Sequence, residues 1–220
     1  MKVIQAQTLA GAHEQVIRYI LRTGKKVVVN GASTLETDET AMIVDRPMDH
    51  PRFVRWLPFD QQFMDKYAKQ ILEGNHANKS QFEYDYHMRL YHWSAGYDGL
   101  DANQIQYIID KLTESDTSRR AIANTWNPIV DERVDDVPCL QLVQCIIRDN
   151  KLQMKVVFRS NDMLLAAGPN MYGLTTLQGE IAHILSIQRG EEITCGPYTH
   201  ISLVPHIYDE RDADLIKGVR

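Results

Sequence analysis

Cysteine is scarce in this 220-residue chain, which has only Cys139, Cys145 and Cys195. No two of them form a close Cys-x-x-Cys metal pair, and three thiols give no secreted disulfide framework. His87 and His92 stand five apart and share no helix face, so no metal is expected. A Gly-rich dinucleotide fingerprint is missing, and so is a Walker loop. No run approaches the roughly 18 apolar residues that a membrane helix needs. The start, Met1-Lys2-Val3-Ile4, opens no signal-peptide core. Positive charge is in the minority, 24 basic against 29 acidic side chains for a formal charge of -5. A general nucleic-acid binder needs a dense basic stripe to neutralise phosphates. That class is therefore excluded, while a small phosphorylated ligand held by a few arginines is not. These absences predict a cytoplasmic enzyme or binding protein with no membrane or nucleic-acid partner, folded as one domain over 1–220.

Apolar residues make up 44% of the chain, enough for a real core. Val16, Ile17, Ile20 and Leu21 recur at helical spacing from His13 to Leu21, with Gly24 as the stop. Lys25 to Asn30 and Thr40 to Val44 read as strands. The turn-like Asn30-Gly31-Ala32-Ser33 between them is a weak candidate for holding an anion on backbone amides and Ser33 or Thr34. Asp45 to Pro51 is a breaker-rich link, and Arg46, Arg52 and Arg55 around it read as solvated charge. Asp60 caps a predicted helix to Glu73 whose buried stripe is Phe63, Met64, Tyr67, Ile71 and Leu72. Gln81 to Trp93 is rich in aromatics, and Gly96 to Gly99 reads as a loop. Asp101 and Gln104 have capping-box spacing before a helix carrying Ile105, Ile108, Ile109 and Leu112. Ser118-Arg119-Arg120 then precedes a short strand, Ala121 to Thr125. The paired arginines read equally well as surface charge or as a phosphate clamp.

Reactive chemistry converges in one place. Cys139 to Arg148 alternates, Asp149-Asn150 reads as a tight turn, and Lys151 to Phe158 alternates again. Leu152, Met154, Val156 and Phe158 share one face. Antiparallel pairing brings Cys139 beside Arg159 and Ser160, and a thiol near a guanidinium is arranged for nucleophilic work. Cys145, mid-strand, reads as buried and inert. Asp162 and Asn170 add a carboxylate and an amide that can read a heterocycle's edge, with Gly168-Pro169 as a rigid turn between them. Leu174, Leu177, Ile181, Ile184 and Leu185 define a long core helix closed at Arg189-Gly190. In the last strand His200 and Ser202 alternate onto one face, which suits a shared sugar hydroxyl and equally suits a place in the core or on the surface.

Ser118-Arg119-Arg120, Trp126-Asn127, Pro138-Cys139, Arg159-Ser160-Asn161-Asp162, Asn170 and Thr199-His200 together resemble the thymidylate synthase family, particularly its short archaeal form, from about Tyr84 to about Ser202. The resemblance implies an α+β fold, a mixed twisted β-sheet with helices packed on one face. It implies methylation of dUMP to dTMP, with 5,10-methylenetetrahydrofolate donating the one-carbon unit and the hydride. By that resemblance Cys139 attacks C6 of the pyrimidine. Arg159 and Ser160 bind the 5'-phosphate, joined by Arg119 and Arg120 from the other subunit of a homodimer. Asp162 orients base and folate, Asn170 reads the uracil edge, His200 holds the 3'-hydroxyl and Tyr84 is associated with proton removal at C5. Four features depart from the family pattern. Leu140 follows the nucleophile in place of a histidine, Ser202 replaces a tyrosine, a longer closing C-terminal tail is not found, and the N-terminal half matches poorly, so the family's phosphate-loop arginine and water-organising acid are not assigned. Competing readings are a pyrimidine-nucleotide hydroxymethylase, in which water captures the methylene, a noncatalytic nucleotide-binding dimer, and a thiolate hydrolase.

Overall fold

The first element is a strand that hydropathy did not announce. In the computed structural model, which describes residues 1–74, 85–94 and 101–219, β1 (Lys2–Ala6) buries only Ile4. Such a strand carries too little alternation to be read in advance. Helix α1 (Leu9–Thr23) begins before the expected His13 because the Thr8 hydroxyl accepts from Gly11 N at 3.2 Å. It stops at Gly24 as expected. A Cβ there would lie 2.6 Å from the Ile20 carbonyl oxygen, so only glycine allows the exit.

β2 (Lys25–Val29) and β3 (Ala32–Glu36) form a hairpin across Asn30-Gly31, whose φ values of 50° and 82° suit a primed turn. This corrects the expected anion loop. Ser33 and Thr34 are buried strand residues of β3, not loop residues. β4 (Thr40–Val44) follows as predicted. In the link after it, Arg52 is no solvated charge. Its guanidinium lies 4.1 Å over the Tyr172 ring and donates to the Tyr172 carbonyl, Thr175 and Thr176.

α2 (Gln61–Glu73) is capped by Asp60, which accepts from Phe63 N at 2.7 Å. Its buried face is Met64, Ala68 and Ile71, while Phe63 is 45% exposed, against expectation. α3 (Tyr86–Tyr91), β5 (Trp93–Ser94) and β6 (Asp101–Ala102) lead to α4 (Gln104–Glu114). Asn103, not Asp101, caps α4, accepting from Gln106 N at 2.8 Å. Asp101 is held in β6, paired with Ser94. The Gln104 side chain is spent on β7 (Ile122–Asn124), bonding Asn124 N and O.

A short α5 (Pro128–Asp131) precedes β8 (Leu140–Arg148) and β9 (Lys151–Phe158), joined at Asp149-Asn150 with φ of 52° and 54°. β10 (Asn161–Asp162) leads to α6 (Ala167–Arg189), then β11 (Thr194–Ser202), β12 (Pro205–Ile207) and α7 (Ala213–Lys217). Gly168-Pro169 is not a turn between elements. Both residues lie in the first turn of α6, where proline loses no helical hydrogen bond.

Six strands form a mixed sheet in the order β1-β4-β11-β9-β8-β7. β11 lies antiparallel to β4 and parallel to β9. α1, α4 and α6 cover one face, over Val143, Cys145, Ile147, Leu152, Met154, Val156 and Tyr198. Leu142, Ile146, Val157 and Ile201 face the other way and are half-buried. A second sheet, in the order β10-β12-β3-β2, meets α1 through β12 and β3. This is the expected α+β architecture. Among the described residues no helix is long and apolar enough to cross a membrane.

Candidate active site

The β8–β9 hairpin does what its alternation predicts at the end that carries chemistry. Leu140 pairs with Phe158, and Arg159 N donates to the Cys139 carbonyl at 2.8 Å. The register shifts between Leu140 and Leu142, a bulge that re-aims the chain just after Cys139. The Arg159 guanidinium fastens the arm before the thiol, Nε donating to Pro138 O at 3.1 Å and Nη2 to Val137 O at 2.8 Å. Leu140 N donates to the Tyr86 hydroxyl at 3.2 Å. Cys139 is half-buried at this junction. Cys145 is fully buried, and burial pushes its thiol up to about 12. The two cysteines thus differ in depth, Cys139 half-buried beside the junction and Cys145 wholly buried in the sheet.

The next four residues bring the second set of groups. β10 runs parallel to β12 with Asp162 opposite His206, and Ser160 Oγ lies 3.3 Å from His206 Nδ1. One Asp162 oxygen accepts from Leu164 N and Leu165 N at 3.0 and 3.2 Å. The other accepts from Arg211 Nη2 at 2.6 Å. Arg211 also chelates Asp212 and lies 4.2 Å over the Tyr208 ring. These carboxylates hold the Arg211 charge firmly, raising its pKa. Asn170 is buried in the first turn of α6, where its Oδ1 accepts from the Tyr67 hydroxyl.

His200 and Ser202 share a face, but that face is interior. Both are fully buried. His200 Nε2 lies 3.0 Å from Asn161 Oδ1, its Nδ1 lies 3.0 Å from the Tyr198 hydroxyl, and its ring stacks on Phe158 at 4.5 Å. Burial, reinforced by His13, pushes its pKa down to about 3. In this structure neither His200 nor Ser202 reaches a surface, so a direct hold on a sugar hydroxyl is not what the geometry offers. Strand alternation gives shared faces but not which face is buried. His13 joins the same interior, its Nε2 2.6 Å from the Met163 carbonyl, with burial lowering its pKa to about 4.

Arg119 and Arg120 are exposed and stand elsewhere. Arg119 O accepts from Gln144 Nε2 and Ala121 O from Cys145 N. The pair is therefore level with Cys145, six residues along the strand from Cys139. At about 3.3 Å per residue that is roughly 20 Å. Within one chain they do not join the thiol. Tyr84 lies outside the described residues. Sequence reasoning missed Arg211, Tyr67 and His13, which belong to no local motif and come in from α1, α2 and the segment before α7. Among the described residues no three His, Cys, Asp or Glu side chains cluster as metal ligands. A cavity of about 760 Å³ lined by Arg46, Lys151, His183 and Cys195 opens at the opposite ends of β9 and β11 and is separate from this site.

The thymidylate synthase family model matches residues 54–215. A protein of Methanocaldococcus jannaschii, provisionally named thymidylate synthase, is 39% identical over 99% of this chain and 95% of its own length. A relative from Methanosarcina barkeri with the same provisional name is 33% identical over 99% of this chain and 94% of its own. One from Methanosarcina mazei is 32% identical over the same shares.

Proposed function

The chain belongs to the thymidylate synthase family, and on that premise we propose that it methylates dUMP to dTMP with 5,10-methylenetetrahydrofolate as cosubstrate. One observation carries the reading: the Arg159 N to Cys139 O bond, which draws Pro138-Cys139 and Arg159-Ser160-Asn161-Asp162 into one junction.

The chemistry follows from the residue types. The Cys139 sulfur adds to C6 of the pyrimidine, which makes C5 enolate-like and able to bond to the electrophilic one-carbon unit. C5 then loses its proton, tetrahydrofolate departs to leave an exocyclic methylene, and that folate returns a hydride. The thiolate leaves C6, giving dTMP and dihydrofolate. Arg159 puts fixed positive charge beside the nucleophile and, with Ser160, receives the phosphate. Phosphate binding remote from the reacting carbon supplies orientation. Asn170 faces the base edge and donates to O4 as negative charge develops there. Asp162, braced on both oxygens, orients base and folate. His200 works from beneath, holding Asn161 between Ser160 and Asp162.

Arg119 and Arg120 act on the phosphate of a second copy. Their separation from their own Cys139 supports this, as does the half-buried apolar face of Leu142, Ile146, Val157 and Ile201, which suits an isologous two-fold interface.

Water capture of the methylene is the second reading, favoured by the wholly buried Leu140 where a polar side chain would stand beside the nucleophile. The test is incubation of pure protein with dUMP and methylenetetrahydrofolate. Formation of dTMP with dihydrofolate supports methylation. A 5-hydroxymethyl product with tetrahydrofolate supports the alternative, and neither product at saturation sinks both.

A further inference from the structure

α2 and α6 lie against each other at Gly173. A Cβ at that position would stand 2.6 Å from Ile71 Cδ1 and 3.2 Å from Tyr67 Cδ1. The missing side chain lets Tyr67 lie against α6. Three residues earlier, on the same helix face, Asn170 presents Oδ1 to the Tyr67 hydroxyl. Asn170 is buried, yet Nδ2 makes no hydrogen bond among the described residues and is not sealed from solvent. An amide has one end that accepts and one that donates. A phenol donates more strongly than it accepts, so Tyr67 favours the orientation in which the carbonyl points at α2 and the NH2 points away.

We propose that Tyr67 is a positioning residue for base recognition. By fixing the Asn170 amide it offers NH2 donors to the pyrimidine's C4 substituent, which selects a carbonyl there and rejects an amino group. The inference rests on the nucleotide reading above. Without the hydroxyl the amide can turn over at little cost and present its oxygen to a 4-amino group. Discrimination then falls, because a wrong partner no longer leaves a buried donor facing a donor.

The experiment compares dissociation constants for dUMP and dCMP in wild type, Y67F, N170A and the double variant. Wild type should prefer dUMP, and Y67F should narrow the dUMP-to-dCMP ratio about tenfold. A role in stability alone would lower the melting temperature and leave this ratio unchanged. Adding Y67F to N170A should not change the ratio further, since Tyr67 acts through Asn170. If Y67F does not fold, G173A moves the same hydroxyl from the opposite helix and should narrow the ratio likewise. A ratio in Y67F within twofold of wild type overturns the inference while leaving the family reaction standing. So does further narrowing in the double variant. Wild-type protein that binds neither nucleotide at millimolar concentration removes the nucleotide reading and this inference together.

Discussion

Arg211 donates to one oxygen of Asp162 at 2.6 Å while the other oxygen of that carboxylate caps the amides of Leu164 and Leu165. The carboxylate is thus held at both ends before any ligand arrives. Pre-set acceptors of this kind cost no reordering during reaction. The arginine is 46% exposed, so its value to global stability is small. We expect R211A to lower kcat/KM roughly tenfold, about the worth of one charge-assisted bond. Its melting temperature should stay within about two degrees of wild type, as scanning fluorimetry checks. An unchanged kcat/KM would refute the brace.

Cys139 and Cys145 should separate cleanly under alkylation. Iodoacetamide at neutral pH should label Cys139 and spare Cys145, whose thiol is buried and pushed up to about 12. Bound dUMP should protect Cys139. C139A should abolish turnover and keep dUMP binding within about threefold. C145S should instead leave the chemistry intact and cost about 1–3 kcal/mol, because it buries a hydroxyl in an apolar core. Peptide mass mapping and denaturant unfolding read these outcomes, and full turnover by C139A would end the mechanism.

If the arginine pair serves a second copy, C139A and R120A should each be inactive alone and regain activity on mixing. Random exchange of subunits makes half the dimers hybrid, and each hybrid carries one complete site. About a quarter of wild-type activity should return. No recovery after exchange, with hybrids shown by native mass spectrometry, would place the phosphate ligands within one chain.

Acid should unfold this protein through its neutral histidines. His13 and His200 have native pKa values of about 4 and about 3, against 6.5 when unfolded. Between these values the unfolded chain binds more protons, so stability is full above pH 6.5 and falls as pH drops toward 4. Each histidine should cost about 2 kcal/mol on going from pH 7 to pH 5. Urea titrations at both pH values measure the slope, and H13Q should flatten it. A slope in H13Q equal to wild type would show that His13 is protonated in the native state.

The β8–β9 hairpin was legible because two alternating runs met at Asp149-Asn150, and it carried the Cys139–Arg159 junction with it. α2, α4 and α6 were legible from helical spacing and caps, although Asn103 displaced Asp101 because pairing with Ser94 holds Asp101 in β6. β1 and β3 are short and half in water, so no periodicity marked them. Alternation put His200 and Ser202 on one face and left core or surface open, since it says nothing about what covers a sheet, and packing sets both in the interior. Arg211 and Tyr67 reach the site from distant segments, and only tertiary packing brings them there.

β11 sits between β4 and β9, strands more than a hundred residues apart in sequence, and hydrogen-bonds to both. The two halves of the main sheet therefore have no common edge until Thr194–Ser202 has left the ribosome. Early emerging segments must wait with apolar faces uncovered, so assembly is governed by a late, long-range insertion and should be slow and chaperone-dependent.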